Sequence, residues 1–340
     1  RALRRLARRA ALAALLPHPW ALRLVAAGLR LYQRTGLQTL VRRSGLLRLL
    51  PATLAASEAL LPPLPPAAER GPLPEAIPPR GPRVARVGFL HGCVQDVVFR
   101  AHNWATLRLL TRNGAQVVIP RAQRCCGALH AHAGDPPRAR ALARENIAAF
   151  DTAGVDTIVV NAAGCGAHLK NYGHLLREDP AWRERAVAFS RQVADVTEVL
   201  TRRPLAGPLG PVRMRVTYHD PCHLAHGQRV RAEPRALLRA IPELTLVDLQ
   251  ESEMCCGSAG IYNLTEPEMA RQLLERKVRH LQATGADAVV TANPGCILQL
   301  AAGLRQRGLP MRVLHVVEIL DMAYAAADVP DTDGAPRPVA

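Results

Sequence analysis

Between residues 84 and 325 the chain alternates short, nearly continuous apolar runs with longer stretches in which apolar residues recur every three or four positions. The runs 84–90, 116–119 and 157–161 read as buried parallel strands, and 215–218, 244–247 and 288–291 repeat the series. The stretches between them read as crossover helices. In one, Ala270, Leu273, Leu274, Val278 and Leu281 make a single apolar stripe, as on a helix laid against a sheet. Asp135 before Pro136 marks a helix start with proline at its first position, and Thr265 with Glu268 has the form of a capping box. The expected fold class is α/β, with two small parallel sheets, each with crossover helices, preceded by a helical segment.

That preceding segment, residues 1–82, has another character. Leu-rich stretches between basic clusters predict amphipathic helices, and the Pro-rich run 61–82 predicts a linker. Residues 1–80 carry thirteen Arg against Glu58, Glu69 and Glu75, which places +10 of the formal +16 there. Such a balance ordinarily suggests a nucleic-acid or anionic-membrane partner. Here Lys170 and Lys277 are the only lysines among 44 cations, so the arginine excess reflects a coding bias as much as a selected surface. Trp20 and Tyr32 are the only aromatics of the segment, too few for stacking on bases, and nucleic acid is not expected as a partner. No apolar run approaches the roughly 20 residues of a spanning helix. The chain opens on Arg1, and no convincing cleavage site follows Leu16, so it reads as a fragment lacking its N-terminus. Residues 1–82 are then a basic helical segment and linker, docking surface for a partner or a membrane face. The final residues, 326–340, read as a disordered tail.

The eight cysteines reveal a repeat. They form two quartets, Cys93, Cys125, Cys126, Cys165 and Cys222, Cys255, Cys256, Cys296, with intervening gaps of 31, 0 and 38 residues and of 32, 0 and 39. Matching members lie 129 to 131 residues apart. The flanks repeat as well: "RVGFLHGC" against "RVTYHDPC", "DTIVVNAAGC" against "DAVVTANPGC", and "VADVTEVL" against "VLHVVEIL". Two homologous domains follow, 83–205 and 206–325. Cys93, Cys165, Cys222 and Cys296 each fall just after a predicted strand, and the paired cysteines fall in the loop after the second strand. All four thiols of a domain can therefore meet at the carboxyl edge of its sheet, where open α/β folds place ligands.

Three chemistries compete for such quartets. Disulfides suit a secreted chain, but these domains are large enough to need no staples and no export signal is evident. Zinc accepts four thiolates, though usually from short CxxC knuckles, and adjacent cysteines are awkward on one small ion. An iron-sulfur cluster spreads the same thiolates over a larger body, and the glycine of "CCG" lets backbone N–H groups approach its sulfurs.

The doubled spacing C-x31-CCG-x37-C resembles the tandem cysteine-rich CCG domains of heterodisulfide reductase B-type subunits, anaerobic glycerol-3-phosphate dehydrogenase, lactate-utilisation proteins and, most of all, the iron-sulfur subunit of glycolate oxidase. The stretches "NAAGCGAHLKNYGHLL", "TYHDPCHLAHGQ", "CCGSAGIYNL" and "TANPGCILQL" carry that resemblance, as does "LPHPW" near Trp20. It implies that Cys93, Cys125, Cys126, Cys165, Cys222, Cys255, Cys256 and Cys296 ligate one or two clusters of the [4Fe-4S] type. It also implies an electron-transfer role, with FAD on a partner subunit that oxidises glycolate to glyoxylate and a quinone or other acceptor downstream. Family members normally begin with a ferredoxin-like segment of CxxCxxCxxxCP runs, which this sequence does not contain. Some also end each domain in CxxC, whose first cysteine would fall at Ala162 and Asn293. With four thiols per domain rather than five, a four-ligand cluster or an incomplete site is expected instead of a five-thiolate, non-cubane one.

Polar residues beside the cysteines admit two readings. His91, His219, Asp220 and His223 either cap helices and bond sulfur or backbone, or act as ligands or proton carriers. Arg121 and Arg124 either offset cluster charge or sit in a solvated loop. No Walker A loop, GxGxxG, GxSxG or HExxH motif occurs. Lactate or glycerol-3-phosphate oxidation is the alternative within the family, and a zinc-stabilised scaffold for a flavoenzyme the alternative outside it. Reduced ligand thiols imply a cytoplasmic protein, peripheral on the inner membrane at most.

Overall fold

The computed structural model describes residues 2–49, 57–64 and 71–328. Among these residues nine strands fall in chain order: β1 (Ala76–Ile77), β2 (Ala85–Leu90), β3 (Ala115–Val118), β4 (Thr157–Val160), β5 (Val193–Asp195), β6 (Met214–Tyr218), β7 (Leu244–Val247), β8 (Ala288–Thr291) and β9 (Arg312–His315). They build two sheets, in the orders β1-β3-β2-β4-β5 and β7-β6-β8-β9. All neighbours are parallel except β1, which pairs antiparallel with β3. The fold is the expected α/β, and the sheets are equivalent strand for strand: Val87 lies beside Val117 and Thr157, and Val216 beside Leu246 and Ala288. In each sheet the strand order reverses beside the first strand of the repeat, which makes a switch point between β2 and β4 and between β6 and β8.

Six strands stand within two residues of where the apolar runs put them. Three were not anticipated: β5 and β9 at the end of each repeat, and β1 within the Pro-rich stretch, whose residues 65–70 lie outside the described ones. The helix Pro136–Asp151 starts as expected, Asp135 accepting from the Arg138 N–H. The second helix does not. It runs Pro267–Ala283 with Glu266 as its N-cap and no side-chain cap. Proline at the first position disfavours helical geometry in the residue before it, so Thr265 belongs to the preceding short helix Tyr262–Thr265 and bonds the Tyr262 carbonyl instead. The last helix, Val316–Asp328, continues three residues into the stretch expected as a tail, and 329–340 lie outside the described residues.

The two halves share one core. Val87, Phe89, Leu107 and Leu110 of the first and Val216, Leu238, Val290, Leu320 and Tyr324 of the second belong to a single buried cluster. The packing is reciprocal, as between like subunits of a dimer. Helix Arg100–Arg112, which follows the first strand of the first repeat, lies on Val316–Asp328 at the end of the second. Helix Val196–Thr201, at the end of the first, lies on Ala232–Arg239 near the start of the second. The N-terminal helices Ala2–Leu15 and Pro19–Arg34 lie against the first half: Leu16, with Leu12 and Leu22 beside it, packs on Cys93, Val94, Cys125 and Leu142. Their outward face leaves Trp20, Leu24 and Leu31 about two-thirds exposed. Among the described residues no single helix is long and apolar enough to cross a membrane.

Candidate metal centre

Each cysteine sits where a strand hands over to the next element. Cys93 opens the helix Cys93–Val98 after β2, and Cys165 lies in the first turn of Ala163–Lys170 after β4. Cys222 precedes the π-helical turn His223–Gln228 after β6, and Cys296 lies in the first turn of Pro294–Gln306 after β8. The CC pairs occupy the loops after β3 and β7. All eight therefore gather at the carboxyl edges of the two sheets, and because the halves face each other there, they line one cavity of about 260 Å³. No carboxylate lines it among the described residues. Ala128, Leu129, Pro294 and Leu298 supply apolar wall, and His132 and His223, ring centroids 5.5 Å apart, come from opposite halves.

Within a quartet the thiols form a chain of contacts. Cys93 Sγ is 3.5 Å from Cys125 Sγ, and Cys126 Sγ is 3.2 Å from Cys165 Sγ. The glycine after each pair is left-handed, with φ of 86° at Gly127 and 93° at Gly257, and this turns its N–H onto the sulfur of Cys125 at 3.5 Å or Cys255 at 3.4 Å. Tyr172 donates from its hydroxyl to the Cys126 carbonyl at 2.7 Å, and Asn146 donates to the Cys125 carbonyl at 3.1 Å, so the first CC loop is held from beneath. Lys277 occupies the place equivalent to Asn146. Its fully buried ammonium donates to the carbonyls of Glu251 and Ser252, ahead of the second pair, and burial lowers its pKa to about 8.

The quartets differ electrostatically. In the first, contact with Cys125 and burial push the Cys93 thiol up, and contact with Cys126 together with burial pushes Cys125 up. In the second, contact with Cys255 and burial push the Cys222 thiol up, and contacts with Cys255 and Cys296 together with burial push Cys256 up. Cys222 and then Cys256 hold the Cys255 thiol down to about 2, and Cys256 holds Cys296 low.

The flanking polar residues sort differently from either simple expectation. His91 donates from Nδ1 to the Gly92 carbonyl at 2.9 Å, and it does not line the cavity. Asp220 caps no helix: both its oxygens accept from Arg235, at 2.7 and 2.6 Å. His223 stands 3.7 Å from Cys222 Sγ. Arg121 pairs with Glu75 and Arg124 with Glu145, both at exposed positions, so neither offsets charge at the cysteines. Asn293, at one of the two places where a fifth cysteine would fall, donates to Cys296 Sγ at 3.5 Å and accepts the Gly164 N–H across the seam at 3.0 Å. No pattern in the sequence marks that bridge, nor His132 and Lys277, because each depends on how two distant segments meet.

Comparison with known proteins places this architecture. The cysteine-rich CCG domain model matches twice, at residues 87–170 and 216–301, and the model for the linker region of the glycolate oxidase iron-sulfur subunit matches residues 3–61. A protein of Bacillus subtilis (strain 168) named probable glycolate oxidase iron-sulfur subunit is 43% identical over 93% of this chain and 72% of its own length. This chain belongs to the family of glycolate oxidase iron-sulfur subunits. The family's tandem CCG domains are the two sheets described above, and its linker region is the helical segment that covers Cys93 and Cys125. The glycolate oxidase iron-sulfur subunit of Escherichia coli (strain K12) is 36% identical over 70% of this chain, and the match spans 58% of that protein. Among solved structures, a hypothetical protein from Helicobacter pylori shares the fold at 12% identity, with a TM-score of 0.54, 75% of this chain and 52% of that one covered.

The donor set fits an iron-sulfur centre. Eight sulfurs, two imidazoles and, among the described residues, no carboxylate make a soft lining. The glycine N–H groups that meet Cys125 and Cys255 are donors of the kind that stabilise ligated sulfur. Cys125, Cys126, Cys256 and Cys296 are buried, and Cys93, Cys165, Cys222 and Cys255 are partly exposed at the cavity.

Proposed function

We propose that this chain is the electron-transfer subunit of a glycolate oxidase-type 2-hydroxy-acid dehydrogenase. In this reading a separate flavin-bearing subunit oxidises glycolate to glyoxylate, and electrons leave through this chain toward a quinone or another acceptor. The observation that carries it is the meeting of two thiol quartets on one cavity in a member of this family. Cys93, Cys125, Cys126 and Cys165 would hold one centre, and Cys222, Cys255, Cys256 and Cys296 the other, each of [4Fe-4S] type. When bound, such clusters supply one-electron transfer at a potential set by their surroundings. This chain's residues do the rest: the thiolates anchor, Gly127 and Gly257 point N–H groups at sulfur, Asn146, Tyr172 and Lys277 fix the CC loops, and the apolar walls exclude water. Both quartets facing one cavity brings two centres together, which favours transfer between them.

Residues 1–80 we read as a docking segment for a partner or for protein outside this sequence, and not as a nucleic-acid surface. Eight unpaired thiols support placement in the reducing cytosol, peripheral on the inner membrane at most. The test is anaerobic purification followed by iron and acid-labile sulfide analysis, electron paramagnetic resonance, and glycolate-driven reduction after mixing with the flavin-bearing subunits. Iron and sulfide in equal amounts, reduced by glycolate only in the mixture, is the expected result. A colourless protein with zinc in its place would overturn the reading.

A further inference from the structure

The two quartets are not chemically equivalent. Along the first strand and the turn after it, residues 86–93 match residues 215–222, and the position three before the cysteine is Leu90 in one half and His219 in the other. Both side chains are buried, with relative exposures of 0% and 1%. Leu90 fills an apolar cluster with Ile147, Phe150 and Ile158. His219 cannot serve that purpose, and neither of its ring nitrogens reaches a partner at hydrogen-bonding geometry. Leaving a buried polar group unpaired is costly, because the water it loses is not replaced. Its position relative to sulfur supplies the compensation: a ring nitrogen of His219, Cys256 Sγ and Cys296 Sγ all lie within 4.8 Å of one another.

We propose that His219 is a nitrogen ligand to the metal of the second quartet in place of one of its four thiolates, so that four sulfurs hold the first centre and three sulfurs with one imidazole hold the second. The proposal rests on the iron-sulfur reading above. Ligation uses the lone pair of one ring nitrogen of the neutral imidazole and displaces no further proton from it. Exchanging anionic thiolate for neutral imidazole favours the reduced form of a cluster, as in centres where histidines replace two cysteines. The second centre therefore has the higher potential, and an electron shared between the two centres rests on it.

The test uses the whole chain, purified anaerobically and reconstituted with iron and sulfide. Pulsed electron paramagnetic resonance of the reduced protein should show a strong nitrogen coupling of a directly bound imidazole, and growth on 15N-histidine should change its pattern without any substitution. His219→Leu installs the residue that the first half carries, and it should fold, keep the signal of the first centre, lose the nitrogen coupling and lower the potential of the second. Cys126→Ala should retain the coupling. Clusters present with no strong nitrogen coupling, or a coupling that survives in folded His219→Leu, would overturn the ligand assignment and leave the functional reading standing. No iron or sulfide in the wild-type protein would overturn both.

Discussion

A glycine sets the backbone at each cysteine pair. At Gly257 an added Cβ would lie 2.5 Å from the Ala270 carbonyl oxygen, on a residue whose φ of 93° already excludes ordinary side chains. Gly257→Ala should therefore cost about 2 kcal/mol or more from strain alone and, by tilting the N–H away from Cys255, should lower iron content. Gly285→Ala is the control: its φ is 60° with nothing within 4 Å of the new methyl, and about 1 kcal/mol with full iron content is expected. Urea unfolding and iron analysis of the two variants check this. A second single-residue comparison asks whether both centres work. Cys126→Ala and Cys256→Ala should each remove about half the iron and sulfide while leaving the fold intact, because the apolar cores do not depend on metal. A Cys126→Ala protein with unchanged iron would mean that the first quartet is a degenerate copy. His315 responds to pH. Its Nε2–H donates to the Asn161 carbonyl at 2.8 Å and its Nδ1 accepts the Val317 N–H at 3.1 Å, so the neutral ring is satisfied at both nitrogens. Burial, and then His102, lower its pKa to about 3, against the pull of Glu318. A folded-state pKa below the unfolded value of about 6.5 means that this stability is complete above pH 6.5 and drains away as pH falls toward 3, by up to about 1.4 kcal/mol per pH unit. The melting temperature of the wild type should fall more steeply between pH 6.5 and 4 than that of His315→Gln. Parallel curves would show that another group carries the pH dependence.

At the level of elements, the same device closes both repeats. The Asp195 carboxylate accepts the Thr197 N–H at 2.9 Å, and Glu198 reaches back to the Asp195 N–H at 2.7 Å. In the second half His315 Nδ1 takes the place of the carboxylate, and Glu318 accepts the His315 N–H at 2.6 Å. Each pair caps a helix that packs on the other half. Asp195→Ala should therefore cost about 1–2 kcal/mol, read from the midpoint of urea unfolding; a change within error would mean that water replaces the cap. These capped segments also mark the limit of what pattern reveals. The likeness of "VADVTEVL" to "VLHVVEIL" was plain, yet β5 is only three residues long and ends in Asp195, and β9 begins with Arg312 and ends in His315, so each leaves two apolar positions and no run to mark it. The other six strands were legible because burial in a parallel sheet leaves them few polar positions. Lys277 stands next to Val278 of the apolar helical stripe, and periodicity cannot show that a carbonyl pair waits for its ammonium. The cysteine spacing, by contrast, held nearly all the information about the site, because strand ends in a parallel sheet converge regardless of what lies between them. It is the reciprocal helix packing that brings the two carboxyl edges together on one cavity.

That packing decides how the whole molecule behaves. Helices Arg100–Arg112 and Val316–Asp328 bring Leu107, Leu110, Ile319, Leu320 and Tyr324 into one buried cluster with strands of both sheets. The ion pairs on its rim, Arg108 with Asp321 and Arg112 with Asp328, both at 2.6 Å, are open to solvent and screened, so they contribute little. Removing a buried leucine from the seam costs about 2–5 kcal/mol. Two homologous sheets that share such a core are expected to unfold together even though the sequence divides them cleanly. Circular dichroism and labelling of the buried thiols Cys125, Cys126, Cys256 and Cys296 in the metal-free protein should give one coincident transition in urea, since these four become reactive only when the seam opens. Leu320→Ala should move both probes to lower urea by the same amount, and Arg108→Ala should move neither by more than a few tenths molar. If the thiols of one quartet react well before the loss of helical signal, the halves open independently, and the seam is a contact between two stable domains instead of a common core.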